Sequence, residues 1–167
     1  MNLIAAVDNN WGIGKNNSLL IQIPEDMQFF RATTVGNVVV MGRHTLESFP
    51  NGRPLPKRTN IVLSGKPDYE VKGATVAHSV SELKKLLADY DTDDVFIIGG
   101  ESVYRQFEPY CKVAYITKID YAYDADAHFP NLDEKENWVL HDESEEQTYF
   151  DIAYTFTSYY NEDVKEL

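Results

Sequence analysis

The chain has 167 residues, 43% of them apolar and 25% charged, an ordinary globular composition with length enough for one domain and a proper core. No apolar run reaches membrane-spanning length and no basic leader precedes an apolar stretch, so membrane is excluded as a partner and the cytoplasm is the expected compartment. A single cysteine, Cys111, excludes an internal disulfide, no Cys or His cluster has metal-ligand spacing, and a net charge of -12 argues against nucleic acid as the main partner.

Residues 3–7 read as the first strand. Residues 9–23, carrying Trp11, Gly12 and Gly14, then form a connection too long for a turn, expected to be a functional lid or disordered. Pro24 stands where a first helical residue belongs, followed by Glu25 and Asp26 and then Met27, Phe29 and Phe30. Residues 38–41 are a second strand that turns into a helix at Gly42-Arg43-His44-Thr45. Residues 60–63 are a third, ending in Ser64-Gly65-Lys66. Ser79-Val80-Ser81-Glu82 is a capping-box pattern leading into Leu83, Leu86 and Leu87. Residues 95–98 form a strand ending in Gly99-Gly100, with a helix expected from Glu101 to about residue 107, and residues 113–117 form another strand. A second long connection, 118–131, is rich in Asp and Tyr. Residues 138–140 and 152–159 alternate in part, as an antiparallel edge hairpin does. The earlier strands are continuously apolar, which suits a parallel sheet covered on both faces. The reading is an α/β fold in a single domain over residues 1–167: a central, mostly parallel twisted sheet flanked by helices, with an antiparallel C-terminal edge hairpin.

In an open parallel sheet, ligands bind beyond the carboxyl ends of the strands. Three of those ends carry small residues with Arg, His or Lys, or lead into a helix amino terminus, and so suggest a phosphate-rich cofactor. Taken singly, Gly99-Gly100 also fits a tight turn, Arg43 and Lys66 fit solvated surface charges, and His44 fits a capping residue. Neither G-x-G-x-x-G nor a P-loop pattern is present. The charge is unevenly spread. Residues 1–119 hold thirteen basic and thirteen acidic residues, whereas residues 120–167 hold two against fourteen. Between Arg43 and Lys66, the basic Arg43, Arg53, Lys57, Arg58 and Lys66 face only Glu47, a balance that favours a small anionic ligand. Asp26 shares a helix face with Phe29 and Phe30, which predicts partial desolvation and a functional proton. A plain acid complementing the helix dipole explains it equally well, although Glu25 alone could serve that purpose.

The ordered set Leu3-Ile4-Ala5-Ala6, Ile13-Gly14, Ile23-Pro24-Glu25-Asp26, Phe29-Phe30, Val40-Met41-Gly42-Arg43-His44-Thr45, Glu47-Ser48 and Gly52-Arg53-Pro54-Leu55-Pro56 with Arg58 resembles the bacterial dihydrofolate reductases. Ile97-Ile98-Gly99-Gly100, Val103-Tyr104, Thr117-Lys118-Ile119-Asp120 and Asp126-Ala127-His128-Phe129-Pro130 extend the resemblance to about residue 160. It implies hydride transfer from NADPH to 7,8-dihydrofolate, giving tetrahydrofolate for one-carbon metabolism. Asp26 and Thr117 would be the catalytic pair, binding the pterin's amino group and ring nitrogen. Ile4, Ala5, Met27, Phe30, Phe49, Leu55, Ile98 and Tyr104 would wall the substrate, and Arg58 would grip its glutamate carboxylate with a planar donor fork. Ala6, Ile13 and Gly14 would meet the nicotinamide. Gly99, Gly100, Glu101, Ser102 and Val103, with Ile98 and Tyr104, would approach the pyrophosphate, the Gly99–Gly100 bond being cis. Gly42, Arg43, His44, Thr45, Leu63, Ser64, Gly65, Lys66 and His78 would hold phosphates and the adenosine end. The resemblance also implies a mobile active-site loop at 9–23, a monomer, and inhibition by antifolates.

The sequence departs from the family pattern at Leu20 and Ile21, where Pro and Trp are usual, and at Leu46, where many members have Trp. Glu101 replaces a third Gly, and Ser102 replaces an Arg that meets the adenosine phosphate in some members. Two rivals are a related reductase acting on another pterin or on a pyrimidine of riboflavin synthesis, and a nucleotide-binding module that has lost catalysis. Asp26, Arg58 and Thr117 together favour folate.

Overall fold

The computed structural model describes residues 1–167. Six parallel strands form its centre: β1 (Asn2–Val7), β3 (Val38–Gly42), β4 (Thr59–Leu63), β5 (Thr75–Ala77), β6 (Val95–Gly99) and β7 (Val113–Ile119), side by side in the order β7-β1-β6-β3-β4-β5. Continuous apolarity does mark strands covered twice. Val38 and Val40 face one core, with Leu83 and Leu87 of α3 (Val80–Leu87) and Val103, Tyr104 and Phe107 of α4 (Glu101–Phe107). Val39 and Met41 face the other, with Leu46 of α2 (Arg43–Glu47) and Phe29 and Phe30 of α1 (Pro24–Thr34). Each such fully buried Val, Leu or Ile contributes about 1.5–3 kcal/mol through removal from water.

Local signals place the helices. Pro24 opens α1 at its first position, where its missing N–H costs nothing. Ser79 caps α3, its Oγ accepting from the Glu82 amide at 3.1 Å. The reciprocal half of a capping box is redirected, since Glu82 Oε2 accepts from the His78 amide at 2.7 Å.

The carboxyl-terminal third is richer than the expected hairpin. β11 (Ile152–Asn161) is not an edge: it pairs antiparallel with β7 along one side and with β9 (Trp138–Glu143) and β10 (Gln147–Tyr149) along the other. The tight hairpin joins β10 to β11. The two long connections are also not structureless. β2 (Gly12–Gly14) pairs antiparallel with β8 (Ala127–His128), Gly12 opposite His128 and Gly14 opposite Ala127, so residues 9–23 and 118–131 are stitched together. A side chain at position 12 would drive its Cβ to 2.6 Å from Ala125 Cβ and 2.9 Å from Asp8 Oδ1, so only glycine fits there. No helix is long and apolar enough to cross a membrane.

Candidate active site

The carboxyl ends of β1, β3, β4 and β6 open into a cleft of about 1160 Å³. That exceeds the ~300–1,000 Å³ of a pocket for one small ligand, and leaves room for two molecules meeting end to end. Of the residues expected in the site, all but Arg58 line this cleft.

At one end sits Asp26, half-buried in the first turn of α1. Thr117, on β7 opposite Ala6 of β1, donates its hydroxyl to Asp26 Oδ1 at 2.6 Å. Burial pushes the Asp26 carboxyl above its ordinary range, and the Thr117 hydrogen bond pulls only partly against this. The neighbouring acid has a different task. Glu25 Oε2 accepts the hydroxyl of buried Tyr154 at 2.7 Å, which ties the start of α1 to β11; burial, helped by this bond, pushes the Tyr154 phenol up to about 12. Ile21 packs against Ile23, Ile119 and Tyr154 in a small apolar cluster while also bordering the cleft, so an aliphatic side chain stands where the resemblance leads one to expect Trp. Phe30, Phe49, Leu55, Ile98 and the exposed Met27 supply apolar wall around Asp26. Tyr104 also lines the cleft, its hydroxyl donating to the Ile4 carbonyl at 2.7 Å.

Arg58 lies at the rim rather than in the cleft wall. Its guanidinium carbon is 5.9 Å from the centre of the Phe30 ring, and its buried Nε has no hydrogen-bond partner. Burial and the nearby Arg31 both depress its pKa. A guanidinium with a buried, unpartnered Nε has hydrogen-bonding capacity left for an anion.

The other end is built of backbone and cations. Gly42, Gly65 and Gly100 leave main chain open to a ligand, and the Gly99–Gly100 peptide is cis, as expected. A Cβ at position 99 or 100 would lie 3.4 Å from Thr45 Oγ1, and Gly99 has φ +128, a region L-residues rarely adopt. Arg43 Nη1 is held by both oxygens of Glu47, at 3.0 and 3.3 Å, and its Nη2 lies 3.3 Å from His44 Nε2. His78 Nδ1 is 3.0 Å from the Ser64 carbonyl; an oxygen that only accepts fixes the proton on Nδ1 and leaves Nε2 free. Lys66 completes this wall.

Sequence reasoning named 9–23 as an active-site loop but assigned no individual site role to part of the lining. Lys15, Asn17, Ser18, Leu19, Leu20, Ile21 and Gln22 all border the cleft, and Asn17 Nδ2 donates to the His44 carbonyl at 2.9 Å, so residues 14–22 lie against its mouth. Their loop length was the available signal. Asp126 and Ala127 also line it, and nothing in their local pattern announces a two-residue strand.

A parallel α/β sheet whose strand ends open into a two-ligand cleft, cationic at one end and holding a desolvated carboxylate at the other, defines a nucleotide-cofactor enzyme. The chain belongs to the dihydrofolate reductase family. The family model described as dihydrofolate reductase matches residues 1–161. The chain is 40% identical over 140 residues to the dihydrofolate reductase of Bacillus subtilis, covering 84% of this chain and 80% of that one. With the Neisseria gonorrhoeae dihydrofolate reductase it shares 37% identity over 158 residues, 94% and 95% of the two chains. Among solved structures it resembles the dihydrofolate reductase from Enterococcus faecalis complexed with NADP(H) and RAB-propyl, at TM-score 0.86 and 33% identity over 97% and 96% of the chains.

Proposed function

We infer that the whole chain, acting as one domain, reduces 7,8-dihydrofolate to 5,6,7,8-tetrahydrofolate with NADPH. The observation that carries this reading is the Asp26–Thr117 pair: a carboxylate with a raised pKa, oriented by a hydroxyl, at the apolar end of a cleft whose far end is cationic.

The residues fit the cofactor. The glycine-lined strand ends admit a diphosphate against bare main chain, and Arg43, His44, Lys66 and His78 bring positive or hydrogen-bonding groups to the phosphate-bearing end. NADPH supplies the hydride when bound. Asp26 and Thr117 hold the pterin's amino group and adjacent ring nitrogen, Phe30, Phe49, Leu55 and Ile98 exclude water around its rings, and Arg58 takes the glutamate carboxylate. The ring nitrogen that must gain a proton is not the one facing Asp26. Asp26 therefore fixes the pterin and favours its protonated form, while water or tautomerisation of the substrate carries the proton. The raised pKa fits this role, because burial in the apolar end of the cleft makes the carboxyl hold a proton more readily than a solvated one does. Ala6, Ile13 and Gly14 would meet the nicotinamide.

The test is a spectrophotometric assay of NADPH oxidation with dihydrofolate between pH 5 and 8. Turnover that a competitive antifolate suppresses is the expected result. No turnover at any pH in that range rejects the reading, and turnover of a pyrimidine substrate in place of dihydrofolate moves it to the riboflavin-type reductases.

A further inference from the structure

We propose that Glu101 is a positioning residue that locks the 9–23 segment onto the cofactor helix α4 and, through its charge, loosens the hold on the cofactor. The proposal rests on the reading above that the cofactor's diphosphate lies along Gly100–Val103.

Glu101 opens α4 directly after the Gly99–Gly100 pair and borders the cleft. Its Oε1 accepts from the His128 main-chain N–H at 2.5 Å, with His128 Nδ1 at 4.0 Å. His128 is the β8 residue opposite Gly12 of β2. From there the path continues into the segment over the cleft. The Asp126 amide donates to the Gly14 carbonyl at 3.0 Å, and Asp126 Oδ2 accepts from the Asn16 amide at 3.0 Å. Asn17 then reaches the His44 carbonyl on α2. A chain of short polar contacts thus runs from the helix beside the diphosphate, through Glu101, to the strand that covers the nicotinamide end. A carboxylate is otherwise a poor choice here, because it opposes a diphosphate's charge. Its retention beside the cleft is explained by the acceptor it offers His128, a short, charge-assisted bond that an alanine or glycine cannot make.

The two contributions separate by substitution. Glu101→Gln keeps an acceptor for the His128 amide and removes the charge; Glu101→Ala removes both. Both variants should bind NADPH and NADH more tightly by a similar factor, about fivefold, the effect of a unit charge a few ångströms away in a solvated cleft. Only Glu101→Ala should slow single-turnover hydride transfer by several-fold, with Glu101→Gln recovering most of that loss. Equal hydride-transfer rates in the two variants would overturn the positioning role, and unchanged or weaker cofactor binding in Glu101→Gln would overturn the charge role. A further measurement needs no variant: amide exchange at His128 in the unaltered protein should slow when NADPH binds, and exchange indifferent to NADPH rejects the coupling. If NADPH does not bind the unaltered protein at all, the functional reading fails first, which keeps the two failures apart.

Discussion

Asp26 holds its proton more tightly in the fold than in the unfolded chain, because desolvation outweighs the Thr117 hydrogen bond. Such an acid imposes no cost below its ordinary value of 3.8, and its cost grows as pH rises through the raised value. Asp26→Asn should therefore melt at a higher temperature than the unaltered protein at pH 7, and the gain should vanish below 3.8, as calorimetry over a pH series would read. Activity should move oppositely, falling about 10²- to 10⁴-fold at neutral pH and recovering in part on acidification, when solvent protonates the substrate directly. Near-normal turnover at pH 7 would remove Asp26 from the key role. Arg43 gives a second test at this scale. Its guanidinium is already shared with Glu47, yet it borders the cationic end of the cleft. Arg43→Ala should weaken NADPH far more than NADH in binding titrations, and equal losses would move the extra phosphate elsewhere. The sequence exposed Asp26 through its spacing to Phe29 and Phe30. Spacing alone left the helix-dipole and pocket roles even, because the deciding partner, Thr117, is 91 residues away, and the family resemblance is what paired the two.

At the level of elements, the long strands and helices were readable because five or more residues suffice to show a period or a cap. β2, β5 and β8 were not, since strands of two or three residues show no alternation and exist only because a partner is present. The stitching of 9–23 to 118–131 depends on a residue with no motif at all. Asp8, buried at the end of the first-strand region, accepts from the amides of Asn10 at 2.9 Å, Gly12 at 2.7 Å and Tyr123 at 2.9 Å. One carboxylate thus sets the path of both segments beside the nicotinamide end. Asp8→Ala orphans three amides and should cost about 2–4 kcal/mol in denaturant unfolding. It should also raise the KM for NADPH, because the segment carrying Ile13 and Gly14 loses its register. A loss under about 0.5 kcal/mol would show that water replaces the carboxylate without strain.

Across the whole molecule the charge is sorted by sheet position. Eleven of the fourteen acidic residues of 120–167 lie between Asp133 and Glu166, in and around β9–β11 toward one edge of the sheet, and the other three lie in the 118–131 segment. Of the basic stretch, Arg43 opens α2, Arg53, Lys57 and Arg58 lie in the connection leading to β4, and Lys66 follows β4, toward the other edge. Composition revealed the imbalance, but only the strand order β10-β11-β7-β1-β6-β3-β4-β5 shows that the two halves stand apart. This separation lets a protein of net charge -12 present a cationic wall to an anionic cofactor. It also gives salt two opposite effects. Between about 0.01 M and about 0.1 M ionic strength the screening length falls from about 30 Å to about 10 Å. Repulsion among the acidic residues of the far edge weakens, so the melting temperature of the free protein should rise. Attraction between the Arg43–Lys66 wall and the cofactor phosphates weakens as well, so NADPH should bind less tightly, and more steeply so than NADH, which carries one phosphate fewer. Melting curves and cofactor titrations over the same salt series check both signs. A melting temperature that falls with salt, or an NADPH affinity indifferent to it, would mean that the two charge fields do not act independently.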